Sequence, residues 1–313
     1  MAGKIGLVGA GAVGSYYGLM LQKAGFDVHF LLRSNYDQVK QAGFQLIHHR
    51  PEFISEEIKE LNIYDKAEEI GICDWVVIAS KTTAKAEIPS VIDLLVGSKT
   101  GLVSLQNGMG NVENLADFFG HEREIVGGLC FTCINRTTPN TIESLLPGYV
   151  QFGQIGKQLS PSSLNIVNAF KESGVVVKCA DSLDEALWRK LCWNVPFNGL
   201  SISGGGITTD LILQNSELRN RAERLMKEIQ SAAKIYNVVI EDEFLERQFE
   251  LTKPMGPYKP SSLIDFLNGK VVEVESIWGE PLRRGKKMGI KMPELECLYL
   301  ELKKITPNLN FKS

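Results

Sequence analysis

Lys4-Ile5-Gly6-Leu7-Val8 runs directly into Gly9-Ala10-Gly11-Ala12-Val13-Gly14, and a helical pattern follows at once. In a strand–turn–helix setting the first glycine permits the tight turn, and the second lets backbone N–H groups approach a pyrophosphate. The third lets the helix pack close to the strand. The phosphates then meet the positive end of the helix dipole. Val13, Tyr17, Met20 and Leu21 share one helical face, so the helix does not rest on the glycines alone. Gly25 is placed to stop it, and Phe26, Val28, Phe30 and Leu32 alternate as in a second strand. The stretch predicts a dinucleotide-binding α/β unit at the N-terminus, with Gly9 to Gly14 as its cofactor loop. A glycine-rich turn in another α/β domain is the plainer alternative.

The residue type at the end of the second strand bears on the choice of dinucleotide. An NAD site usually places Asp or Glu there for the ribose hydroxyls. This strand ends Leu31-Leu32-Arg33-Ser34-Asn35, and Asp27 stands at its beginning. A guanidinium matches the geometry of a 2′-phosphate. Arg33 therefore favours NADP, unless it is an ordinary surface arginine.

At 313 residues the chain has room for two domains, and 44% hydrophobic with 23% charged residues is ordinary for a soluble globular protein. A net charge of −3 gives no reason to expect nucleic acid or an anionic membrane as partner. No apolar run approaches the roughly 20 residues of a membrane span, and no signal-peptide pattern precedes the glycine motif. The six cysteines are scattered; Cys130 and Cys133 lie in an apolar strand-like run, where they would point to opposite faces as buried thiols. The four histidines make no metal-ligand spacing, so no metal is expected. The cytoplasm is the default compartment.

Strand-like runs at Lys4–Val8, Phe26–Leu32, Trp75–Ala79, Leu102–Leu105, Ile125–Ile134, Tyr149–Gly153 and Val175–Lys178 alternate with helical segments. That pattern predicts an N-terminal doubly wound sheet of the Rossmann type over residues 1–180. From 181 to 313 the periodicity is helical, at 182–202, 208–235, 241–252, 261–278 and 281–304, which predicts an all-helical second domain. The polar tail Thr306–Ser313 is expected to fray.

Three stretches could carry chemistry. Trp75-Val-Val-Ile-Ala-Ser-Lys81 and Leu102-Val-Ser-Leu-Gln106-Asn107-Gly108-Met109-Gly110 each deliver a polar residue at a strand's C-terminal end, the edge where open α/β sheets bind ligands. Lys81 would approach cofactor phosphate or ribose, and Asn107 the nicotinamide or the substrate. The bland reading is turn chemistry and surface charge. Lys190, Asn194 and Asn198 are spaced by four, and steps of about 40° keep them in one polar stripe on an apolar helix. Such groups need partners, which a ligand or simply solvent would supply. Pro196 is expected to kink that helix. In the third stretch, Ser262-x-x-Asp265 reads as a capping box, Glu273 as the ion-pair partner of Lys270 one turn away, and Ser261 has no structural explanation. Gly204-Gly205-Gly206 is either a flexible point or a helix terminus.

Taken together, Gly9-x-Gly11-x-x-Gly14, Lys81, Gln106-Asn107-Gly108-x-Gly110, Trp188-x-Lys190-x-x-x-Asn194-x-x-x-Asn198, Ser261-x-x-x-Asp265, Glu273 and Gly289-Ile290-x-x-Pro293 resemble the ketopantoate reductase family along the whole chain. The resemblance implies an NADPH-dependent reduction of 2-dehydropantoate to pantoate, a step of pantothenate biosynthesis, in a cleft between a Rossmann domain and a helical domain. It implies Lys190 as general acid and Glu273 as the carboxylate that binds the substrate hydroxyl. Asn107, Asn194, Asn198 and Ser261 become substrate or nicotinamide contacts, and Lys81 lies near the cofactor. A small-molecule 2-oxo acid is the implied partner, and the family offers homodimers as well as monomers.

One departure concerns the pocket. Family members commonly carry an asparagine shortly before the serine matched by Ser261, where this chain has Pro257-Tyr258-Lys259-Pro260. Lys259 would put a charge in place of an amide. Two alternatives stay open: a reductase of another 2-oxo or 3-hydroxy acid, and a dinucleotide-binding regulator without turnover.

Overall fold

The computed structural model describes residues 2–82 and 88–306; the tail from Pro307 onward lies outside the described residues. The chain divides into two compact units. The first comprises Met1–Asn107 and Asn111–Leu183, and the second Gly108–Gly110 and Asp184–Ser313.

The first unit is a ten-stranded mixed sheet with helices. Its elements run β1 (Lys4–Val8), α1 (Ala12–Lys23), β2 (Asp27–Leu31), α2 (Tyr36–Ala42), β3 (Phe44–His48), β4 (Ile54–Ile58), β5 (Asn62–Tyr64), α3 (Ala67–Ile70) and β6 (Cys73–Ile78). They continue α4 (Ile88–Asp93), β7 (Val96–Ser104), α5 (Asn111–Phe119), β8 (Ile125–Arg136), β9 (Thr141–Gly153), α6 (Pro161–Glu172) and β10 (Val177–Cys179). The strands lie in the order β4-β3-β9-β8-β7-β6-β1-β2-β5, with β10 beside β9. Within it, β5-β2-β1-β6-β7-β8 is the dinucleotide-fold order 3-2-1-4-5-6, parallel throughout. β1 lies where that order reverses, and its C-terminal end is the ligand edge.

β3, β4 and β5 add to the strands expected from the sequence. β4 is mostly exposed and β5 has three residues, so neither gives a usable apolar alternation. β8 and β9 form a long antiparallel ribbon. Only Ile125–Gly127 of β8 pairs with β7, whereas β3 pairs with β9 at Thr141–Ser144. Irregular register near Phe131–Ile134 bends the ribbon, and a Cβ on Gly148 would lie 1.8 Å from the Phe131 carbonyl oxygen. Cys133 falls in this irregular stretch and Cys130 just before it, and both are half-buried rather than buried. Tyr17 of α1 is fully buried, its ring 5.7 Å from that of Phe170, and joins α1 to the core beneath the ribbon.

The second unit contains α7 (Leu183–Ser203, whose first residue belongs to the first unit), α8 (Thr209–Gln214), α9 (Ser216–Ile235), α10 (Asp242–Thr252), α11 (Ser261–Leu267), α12 (Glu280–Lys287) and α13 (Pro293–Ile305). Among its described residues there is no strand. Trp188, Phe197 and Trp278 are fully buried, and burying side chains of this size contributes about 2–3 kcal/mol each. α7 continues through Pro196 as one helix. Trp278 Nε1 donates to the Val195 carbonyl at 2.9 Å, a side-chain brace one residue from the proline. The expected 261–278 helix is broken: α11 stops at Asn268, Gly269 takes φ +64°, and a π-helical turn starts at Glu275. Gly204–Gly206 end α7, with Gly205 and Gly206 at φ +88° and +89°; they are a helix terminus.

Candidate active site

Within the first unit, four strand ends share one edge. Leu31, Val8, Ile78 and Ser104 are successive register partners across β2, β1, β6 and β7. The Gly9–Gly14 loop follows Val8 directly, and Arg33, Lys81 and Asn107 follow their strand ends within three residues. Arg33 is exposed, and Lys81 and Asn107 are half-buried. Gln106 ties two of the ends together, its Nε2 donating to the Ser80 carbonyl at 2.9 Å. Asn111 Nδ2 holds the Asn107 carbonyl at 3.0 Å. Asp27, at the opposite end of β2, is 2.9 Å from His29 Nε2 and far in sequence register from this edge.

The three loop glycines are required for different reasons. A Cβ on Gly9 would lie 2.2 Å from the Ser80 nitrogen, and Gly9 has φ +94°. A Cβ on Gly14 would lie 2.3 Å from the Gly9 carbonyl oxygen and 2.9 Å from Ala79 Cβ. Those two glycines are demanded by the packing of the protein itself. A Cβ on Gly11 would meet nothing within 4 Å. Gly11 is the N-cap of α1, which has no side-chain cap and no acidic residue in its first turn. The start of α1 therefore has first-turn N–H donors with no side-chain cap and a positive dipole end beside the open space at Gly11. The chemistry of the Ala10–Val13 backbone at this uncapped helix start is of the kind a pyrophosphate would need, and no packing contact within 4 Å explains the second glycine.

Within the second unit, the α7 stripe deepens as it goes. Lys190 and Asn194 are half-buried, and Asn198 is 1% exposed, so solvent does not satisfy the end of the stripe. Asn198 Oδ1 accepts the Ser262 backbone N–H at 2.9 Å. That N–H belongs to the first turn of α11, whose N-cap is Pro260. The capping-box reading of Ser262 and Asp265 is thereby corrected: Ser262 is inside the helix, and the cap comes from Asn198, 64 residues away. No local spacing could reveal that contact. Ser261 is the first residue of α11 and is exposed. Lys259 is exposed and Pro260 buried, so the lysine does not take the place of a buried amide.

Glu273 is 8% exposed and lies just before the π turn Glu275–Gly279, outside any helix. The helical pairing with Lys270 is therefore replaced: Gly269 ends the helix before either residue. π turns recur at functional sites. Against this one packs Gly108, at φ +81°, where a Cβ would lie 2.3 Å from the Ser276 carbonyl oxygen. The Met109 N–H donates to that same carbonyl at 2.8 Å. The glycine turn after Asn107 is thus set by a close backbone approach to the segment that carries Glu273.

Among the described residues no group of three or more His, Cys, Asp or Glu could hold a metal, and no helix is long and apolar enough to cross a membrane.

Comparison with known proteins agrees with this architecture. The family described as Ketopantoate reductase PanE/ApbA matches residues 5–157, and its C-terminal counterpart matches residues 182–306. A relative from Nostoc sp. named 2-dehydropantoate 2-reductase is 34% identical, over 96% of this chain and 94% of the relative. The crystal structure of 2-dehydropantoate 2-reductase from Geobacter metallireducens superposes with a TM-score of 0.91 at 36% identity, over 96% of this chain and 99% of that one. A ternary structure of D-mandelate dehydrogenase with NADH and anilino(oxo)acetate has a TM-score of 0.89 over 99% of this chain and 100% of that one; at 23% identity the likeness is one of fold. The chain belongs to the ketopantoate reductase family, a family of oxidoreductases acting on CH–OH and C=O groups.

Proposed function

We propose that this family member reduces 2-dehydropantoate to pantoate with NADPH. The observation that carries the reading is the α7 stripe: a lysine and two amides that run into the interior of an otherwise apolar helix, in the same unit as a buried carboxylate at Glu273. Two relatives named for this reaction are 34% and 36% identical to the chain and cover nearly all of it.

A bound nicotinamide supplies the hydride. Gly9–Gly14 hold its pyrophosphate, Lys81 and Asn107 take positions nearer the ribose and the ring, and Arg33 meets the 2′-phosphate. Lys190 has the central task. As the substrate carbonyl gains electrons, its oxygen becomes negative, and the ammonium stabilises that charge and delivers the proton. Glu273 accepts a hydrogen bond from the substrate hydroxyl. Asn194 and Ser261 bind polar groups of the acid. Asn198 keeps its oxygen on the Ser262 N–H and offers its amide nitrogen to the substrate, so it also fixes where Ser261 stands. A cytosolic location and a homodimer belong to the same reading; light scattering tests the second.

The test is NADPH oxidation with ketopantoate beside pyruvate, 2-oxoisovalerate and oxaloacetate. The reading expects ketopantoate to have the highest kcat/KM. Faster turnover of another oxo acid would reassign the substrate within the same chemistry. NADPH binding without turnover of any of them would turn the protein into a dinucleotide-responsive regulator.

A further inference from the structure

We infer that Arg136, at the end of β8, is a second phosphate-binding arginine, and that it serves the pyrophosphate rather than the 2′-phosphate. The inference rests on the dinucleotide reading above and deepens it. Arg136 is 126 residues from the glycine loop in sequence, yet its Nη1 donates to the Ala10 carbonyl at 3.2 Å. The bent β8–β9 ribbon brings it there. A guanidinium carries five N–H donors in a planar fork. Two residues beyond Ala10, α1 begins with N–H groups, which are donors as well, and with neither a side-chain cap nor a first-turn acid. The arginine and the start of α1 thus both present donors beside Ala10 and Gly11, and an anion placed there would accept from both. A bidentate guanidinium suits phosphate oxygens in particular.

The hairpin that carries Arg136 is braced. Asn35 Nδ2, two residues past Arg33, donates to the Pro139 carbonyl at 3.2 Å, and Asn140 Nδ2 donates to the Gly43 carbonyl at 2.9 Å. Thr138 Oγ1 accepts the Thr141 N–H at 3.0 Å, closing the turn. The arginine is therefore held at the lip of the loop by contacts on both sides. Arg33 and Arg136 divide the work: one lies at the end of β2, where the 2′-position goes, and the other on the loop that takes the phosphates common to NADP and NAD.

The experiment is isothermal titration of the full chain with NADP+ and with NAD+, each at several salt concentrations. The variants are Arg136→Ala, Arg136→Gln and Arg33→Ala. We expect Arg136→Ala to weaken both nucleotides by the same factor, about tenfold, and to flatten the salt dependence of both. Arg33→Ala should weaken NADP+ alone. Arg136→Gln keeps a donor for the Ala10 carbonyl but has no charge, and it should bind as poorly as the alanine variant. If Gln restores wild-type affinity and salt dependence, Arg136 is a brace and the inference falls. It falls also if Arg136→Ala leaves both affinities unchanged, or affects NADP+ only; in those cases the wild type still binds and the dinucleotide reading stands. A wild type that binds neither nucleotide would end that reading and this inference with it.

Discussion

Two helix starts, one in each unit, are built to opposite ends. α1 begins with no side-chain cap, no acidic residue in its first turn, and a glycine over which a methyl group would meet nothing within 4 Å. α11 has as its N-cap Pro260, which spares one orphan N–H, and its Ser262 N–H donates to Asn198 Oδ1 in a buried setting. At the start of α1 no side chain caps the helix donors, whereas at the start of α11 a side chain from another helix caps one of them. On the proposed reading the difference is functional: the uncapped helix start takes the anion, whereas the capped one is a fixed point from which neighbouring side chains are aimed. α6 is a third, closed case. Ser160 caps it, and Glu124 accepts hydrogen bonds from Ser160, Ser163 and Gln154 at 2.7–2.9 Å.

The comparison can be strained in order of expected effect. Lys190→Ala should lower kcat with ketopantoate about a hundredfold or more, leaving NADPH affinity in a fluorescence titration unchanged. Loss of NADPH binding would mean that the helical unit also builds the open start. Gly14→Ala should destabilise the protein by about 3 kcal/mol in urea unfolding, since its Cβ meets backbone at 2.3 Å. Asn198→Ala should cost about 1–3 kcal/mol, because it strands the buried Ser262 N–H. Asn198→Asp keeps the acceptor and should recover part of this; an alanine variant as stable as wild type would show that α11 is not closed by Asn198.

The smallest effect is a pH dependence at α6. Burial pushes Glu124 up, but the hydrogen bonds from Ser163, Ser160 and Gln154, with Lys157 nearby, outweigh it and hold the carboxyl below its ordinary range. A group depressed in the folded state adds stability above its unfolded pKa and loses it as pH falls through the folded value. The gap in unfolding free energy between wild type and Glu124→Gln should therefore be full at neutral pH and close below about pH 4. A gap that widens on acidification would contradict the assignment.

How much could be read beforehand follows the same division. β1, the loop and α1 are contiguous, and their chemistry is written in three glycines and one apolar face, so the fold class and the loop were legible. β3 and β4 were not: β3 pairs with β9, almost a hundred residues on, and β4, which pairs with β3, lacks a buried face to mark it. In the second unit the α7 stripe was visible from spacing, but the Asn198 cap was not, because it depends on which helix packs against α7. Gly269 was the signal that would have broken the 261–278 helix and taken Glu273 out of reach of a helical pairing with Lys270. Arg136 had no local signal at all; only the bend of the ribbon brings it to Ala10.

The central claim is that α1 is left open for a dinucleotide, and Gly11→Ala tests it most directly. Its melting temperature without nucleotide and its affinity for NADP+ should be measured together. The account predicts a melting temperature equal to wild type, since the new methyl touches nothing, and an affinity at least about tenfold weaker, since it occupies the phosphate's approach. An unchanged affinity in a stable variant would contradict it.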